Sequence, residues 1–312
     1  MKKIFTLLVV VLKLSFGIAQ IQNDTFQNSI TLHDKADENT ILAYAISLEK
    51  EFPTDVNTLF LRGNYFYKTG NIVEAEECYS NILKLDPKNV LSYIARATIN
   101  IQKKQFDHAI YDLSNAIKYD QKNIKIYDLR SKVYLQIGKN NEALRDIDTK
   151  IALQPLQIKH YLEAANICMK MHENSKGEMY FTKAFTTAGM DITIVNLAYC
   201  EYLMQLQRYE DAMFRYLDAI KINEKALSGI DYNNIAVAYF KLNNILSAKK
   251  YAEIAIKKSP LNLEYKCNYI TILVKKNEWK KVAEISNSVL LLNKNHANAK
   301  EFLATALGNL NQ

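Results

Sequence analysis

Apolar residues return every three or four positions along most of this chain, the spacing of helices with one buried face. Between Asn57 and Val90 the pattern makes two such stretches, separated by Gly70-Asn71 and closed by Asp86-Pro87. Leu59, Phe66, Tyr79 and Ile82 fall on the faces to be buried, and Gly63 and Ala75 are small residues where the two helices must approach closely. Gly70 is free to take a positive φ and close the first helix, while Pro87 stops the second. The closing phrase LKLDPKNV (Leu83–Val90) returns as IKYDQKNI (Ile117–Ile124), 34 residues later. Two short helices alone cannot bury enough apolar surface, so successive copies must supply each other's second wall.

The period runs through the chain with local slips. Pro53 lies 34 residues before Pro87, so residues 20–55 read as a degenerate first copy with a short, polar opening helix. Leu91–Ile124 keeps Ala97, Ala109 and Ala116 in the small-residue columns. Lys125–Leu156 has Ser131, Ala143 and Gly138, but Lys150 replaces a small residue, which predicts looser packing or a snorkelling stem. Ile158–Met190 is weaker, with MHENSKG at the turn and Gly189 where proline is expected. The spacings Gly177–Ala212 and Ala212–Ala248 are 35 and 36, so extra residues are expected around Gly189–Asp191 and Leu227–Gly229. Ile194–Asn223, Ile230–Asn262 and Leu263–His296 continue the array, with Trp279 in an aromatic column of the last.

Helix–turn–helix units of this length, with these small-residue columns and closing prolines, resemble the tetratricopeptide repeat family. The resemblance implies an all-α, right-handed α-solenoid of antiparallel helix pairs. It divides the chain into a degenerate first repeat at 20–55, about seven repeats over 56–296 and a C-terminal capping helix over 297–312.

Residues 1–19 have another character. Lys2 and Lys3 precede the apolar run Ile4–Leu12, and Gly17 and Ala19 stand before Gln20. A basic start, a short apolar run and a small-x-small site predict a signal peptide cleaved near Ala19-Gln20, hence an exported, periplasmic or secreted bacterial chain. An uncleaved interfacial anchor is the alternative. The formal charge of +7 is uneven: from Lys241 onward there are twelve lysines, no arginine and five glutamates. These lysines read as solvated helix faces, and without arginine they do not suggest nucleic acid; contact with an anionic surface is possible but not required.

Candidate chemistry is sparse. Cys78, Cys168, Cys200 and Cys267 form no CxxC pair; they read as small buried residues, with a Cys168–Cys200 disulfide as the alternative in an exported chain. Cys168 and His172 stand at i, i+4 with His160 upstream, but no acidic third ligand joins them, so no metal is expected. No HExxH, GxSxG, phosphate-loop or dinucleotide pattern occurs, so no cofactor is expected.

In the tetratricopeptide family, first helices line a concave groove that receives peptides or helices. Of the carboxylate-clamp positions used by one subfamily, Asn64 and Lys125 match, but Phe60, Ala95 and Leu129 do not. The groove columns here carry apolar Phe60, Tyr67, Ile94, Ile101, Leu162, Met169, Leu197, Met204 and Phe240. Polar Asn64, Thr98, Lys132, Asn166, Asn233 and Asn234 interleave with them. That mixture suits an amphipathic partner helix. The resulting expectation is a scaffold or adaptor without catalysis of its own, binding protein segments along this groove. An enzyme, or the specificity arm of an enzyme complex, with a site outside known motifs is the alternative.

Overall fold

The computed structural model describes residues 55–189 and 192–311; the expected signal peptide (1–19) and, Asp55 apart, the degenerate first copy (20–55) lie outside them. The described residues hold fifteen α-helices and no strand. In chain order these are α1 (Val56–Lys68), α2 (Ile72–Leu85), α3 (Val90–Gln102), α4 (Phe106–Tyr119), α5 (Ile124–Gln136), α6 (Asn140–Leu153), α7 (Ile158–Lys170) and α8 (Asn174–Ala188). There follow α9 (Thr193–Gln205), α10 (Tyr209–Asn223), α11 (Gly229–Lys241), α12 (Ile245–Lys258), α13 (Leu263–Lys275), α14 (Trp279–Leu292) and α15 (Ala297–Leu310). Two compact units divide at Leu153 and Gln154, so unit 1 carries α1–α6 and unit 2 carries α7–α15. In each, consecutive helices pack as pairs and the second helix of one pair packs on the first of the next.

Local chemistry explains why every pair has the same outline. Asp55, Asn89 and Asn262 cap α1, α3 and α13 by accepting from the amide three residues on, satisfying a donor that the helix leaves open. At the other end each first helix closes through one left-handed residue: Gly70, Lys104, Gly138, His172, Gln207, Asn243 and Asn277. The following amide then reaches back five residues, as in Asn71 N to Phe66 O and Gln105 N to Asn100 O, both 2.8 Å. MHENSKG therefore closes α7 as the regular turns close theirs, with His172 at φ 58° in the glycine's place.

The small columns are contacts. A Cβ on Gly63 would lie 2.8 Å from the Tyr79 ring, and one on Gly177 2.6 Å from the Tyr202 hydroxyl. Ala75, Ala97, Ala109, Ala143, Ala165, Ala212 and Ala248 are fully buried. Lys150, expected to loosen its copy or to snorkel, is instead 1% exposed, and its Nζ donates to Asp128 at 2.7 Å. The side chain fills its column and ends in an ion pair with α5.

In three first helices a tyrosine near the start bonds back to the turn before it. Tyr93, Tyr127 and Tyr161 each donate from Oη to the carbonyl six residues back, on Pro87, Gln121 and Pro155. In α9 the matching residue is Asn196, fully buried, and neither atom of its amide has a hydrogen-bond partner among the described residues. Further along, the lengthened spacing near Leu227 is taken up by a 3-10 turn, Glu224–Ala226, after which buried Leu227 and a Ser228/Asp231 capping box begin α11. At the C-terminus α15 packs on α13 and α14 with Ala299 and Ala306 inward.

Candidate protein-binding face

The first helices of unit 1 are α1, α3 and α5. Phe60 is half-buried, its ring centroid 5.7 Å from that of Tyr79. Asn64 Oδ1 accepts from Tyr79 Oη at 2.7 Å, and Tyr67 Oη accepts from Gln102 Nε2 at the same distance. Ile94 and Ile101 pack on the core of their own pair, and Thr98 donates to Ile94 O at 2.8 Å. Lys132 is exposed and donates to Asp128 at 2.6 Å. Most of the polar atoms expected to meet a partner in this unit already hydrogen-bond within it.

In unit 2 the arrangement is more open. On α7, Leu162 and Met169 are half-buried on either side of exposed Asn166. On α9, Leu197 and Met204 pack against the core while Glu201 stands exposed between them. Partial burial and the nearby Asp231 carboxylate hold the Glu201 carboxyl above the ordinary glutamate range. Phe240 packs on the core beside α12 and α13, and Asn234 is half-buried beside the Tyr216 hydroxyl. Asn233 corrects the groove assignment: it is 3% exposed and accepts from Asn268 Nδ2 of α13 at 3.0 Å. It joins two first helices from inside and is closed to a partner.

Three exposed apolar residues escape a reading of the groove columns: Leu91, Ile194 and Ile230, each the second residue of its first helix. Ile194 is 65% exposed. The aligned copies do hold the signal, an apolar residue recurring at a position that should face water, but periodicity alone counts such residues as core.

The other candidates resolve into structure. Cys168 and Cys200 are fully buried thiols not joined to each other, which removes the disulfide alternative. Burial pushes the Cys200 thiol up, so it stays protonated. His172 lies in an exposed turn while Cys168 is buried in α7, so that pair does not converge on a metal.

A tetratricopeptide repeat family model matches residues 56–89. Among solved structures, a tetratricopeptide repeat protein from Parabacteroides merdae is similar over 81% of this chain and 98% of its own, at 19% identity and a TM-score of 0.55. The fold is that of a tetratricopeptide repeat protein. Yeast Tom70 matches over 88% of this chain and 60% of its own, at 17% identity and a TM-score of 0.54. A chain from the APC/C hetero-tetramer Cut9-Hcn1 matches over 90% of this chain and 55% of its own, at 14% identity and a TM-score of 0.52. The chain thus spans little more than half the length of these last two. At such identities the likeness concerns the tetratricopeptide fold alone, which presents the same helix pairs in proteins of different size.

Proposed function

We propose that this chain is an exported scaffold that binds a protein segment along the first helices of unit 2 and carries out no catalysis itself. The carrying observation is the face made by α7, α9 and α11. Exposed Ile194 and Ile230 and half-buried Leu162, Met169, Leu197 and Met204 surround the polar Asn166 and Glu201. An amphipathic helix would set its apolar stripe on the former and its polar edge on the latter. Export rests on the basic-apolar-small pattern of residues 1–19.

The test introduces a photo-crosslinking residue at Ile194 in cells. Crosslinked partners should be recovered from the periplasm or medium, and their recovery should fall when Ile230→Asp is added. A crosslinking pattern identical with and without that substitution would remove this face from the reading. Persistence of the chain in the cytoplasm with residues 1–19 attached would remove export.

A further inference from the structure

Unit 1 repeats a pairing of arginine with an aromatic ring one turn later on its first helices. In α1 the Arg62 guanidinium lies 5.4 Å from the centroid of Phe66, and in α5 that of Arg130 lies 5.7 Å from Tyr134. The arginine persists between them in α3, as Arg96, but Asn100 replaces the ring. Tyr134 feels the charges of Arg130, Asp146, Glu142 and Arg145. One period earlier the same positions are Arg96, Asp112, His108 and Tyr111, and these four, with Glu76, Ser80 and Asn100, line a pocket of about 270 Å³. The pocket thus opens beside Arg96, whose counterpart Arg130 has the Tyr134 ring 5.7 Å away in the next copy.

Its walls are prepared for such a ring. Arg96 is fixed by two hydrogen bonds to Asp112, at 2.9 and 2.6 Å, and a third to Ser80 at 3.1 Å, so its planar face does not wander. Tyr111 stands two-thirds exposed at the mouth. Asn100 is 3% exposed, its Oδ1 has no hydrogen-bond partner among the described residues, and its Nδ2 reaches Asp112 only at 3.4 Å. A cavity of roughly 150 Å³ is enough to hold benzene, so the volume accommodates a substituted ring.

We infer that this pocket receives a tyrosine side chain from a protein partner, set beside Arg96 as Tyr134 is set beside Arg130 in the following copy. The ring stacks on the Arg96 guanidinium, and the phenol hydroxyl supplies the donor that Asn100 Oδ1 lacks once the carboxamide turns towards it. The site draws on α2, α3 and α4 and shares no residue with the face proposed on unit 2, so either can fail without the other.

The probe is p-cresol, the isolated tyrosine side chain, titrated into the purified chain and followed by NMR at the His108 ring. Saturable shifts are expected at millimolar concentrations. Asn100→Tyr should abolish them, because the chain's own ring then fills the pocket, while the unfolding temperature stays equal or rises. Tyr111→Ala, an exposed change that leaves the fold alone, should weaken binding at least threefold (about) and decides the matter if Asn100→Tyr does not fold. Absence of saturable shifts in the wild type, shifts unchanged in Asn100→Tyr, or affinity unchanged in Tyr111→Ala would each overturn the inference.

Discussion

Gly63 lies within α1 and Gly70 in the turn that closes it, and the two exclude a side chain for different reasons. At Gly63 the backbone is helical, and an added Cβ would meet the Tyr79 ring at 2.8 Å, a ring held by its bond to Asn64. Gly63→Ala should cost about 1–3 kcal/mol in chemical denaturation as the pair is forced apart. At Gly70 nothing lies within 4 Å of the added atom, but φ is +81°, so Gly70→Ala should cost about 1–2 kcal/mol from the backbone alone. Adding Tyr79→Phe should change the penalty of the first substitution and leave that of the second alone. The small columns were legible in the sequence because close approach admits few residue types. The fate of polar side chains was not: Asn233 and Asn234 are neighbours, yet only the structure shows which one faces inward.

Asp128 belongs to the same scale. Burial works to raise its carboxyl, but hydrogen bonds and attraction from Lys132 and Lys150 outweigh it and hold the carboxyl below the ordinary aspartate value. A depressed value means the folded chain binds this proton less readily than the unfolded one. The stabilisation is therefore complete above the unfolded value, near about 4, and is lost as pH falls through the folded one. Asp128→Asn leaves the Lys150 ammonium buried without its carboxylate. The stability gap between wild type and variant should be constant above about pH 5 and narrow below about pH 4; a gap independent of pH would contradict this account.

At the scale of the element, unit 1 holds its pairs together with a repeated polar brace. Arg130 donates twice to Asp146 and once to Ser114, as Arg96 does to Asp112 and Ser80 one period earlier. Each brace ties a first helix both to its own partner and to the second helix before it. Asp146 is 3% exposed, so Asp146→Ala should cost about 3 kcal/mol by stranding a partly buried guanidinium. A loss below about 1 kcal/mol would show that the guanidinium finds water instead. The helices themselves were legible from their period, including the slip near Leu227; of the slip expected around Gly189–Asp191, Met190 and Asp191 lie outside the described residues. The braces were hidden, because which arginine and aspartate meet depends on the packing angle of neighbouring pairs.

At the scale of the molecule, the fold was legible and the proposed binding face only partly so. Apolar periodicity finds buried faces, and on α9 it marks Leu197 and Met204, which the core already uses. The more exposed Ile194 breaks that pattern and therefore distinguishes a partner from the core. Ile194→Asp should leave the unfolding midpoint within about 0.5 kcal/mol of wild type while weakening capture of the crosslinked partner. Leu197→Asp should lower stability itself, and the reverse ranking would return this face to the interior.

At the position from which Tyr93, Tyr127 and Tyr161 bond back to the turn before their helix, α9 carries Asn196, whose amide has no hydrogen-bond partner among the described residues. That joint is bonded through Tyr202 Oη, which donates to Asn174 O of α8 at 2.8 Å, but it also holds a desolvated amide that gains by meeting water. Stretched between handles at Gln154 and Asn311 in an optical trap, unit 2 should yield first between α8 and α9, with α7 and α8 peeling away together. Asn196→Tyr should raise the force of that first rupture, and an unchanged force would place the mechanical weak point elsewhere. A buried, unsatisfied amide thereby becomes a tear line, setting the order in which unit 2 comes apart under load.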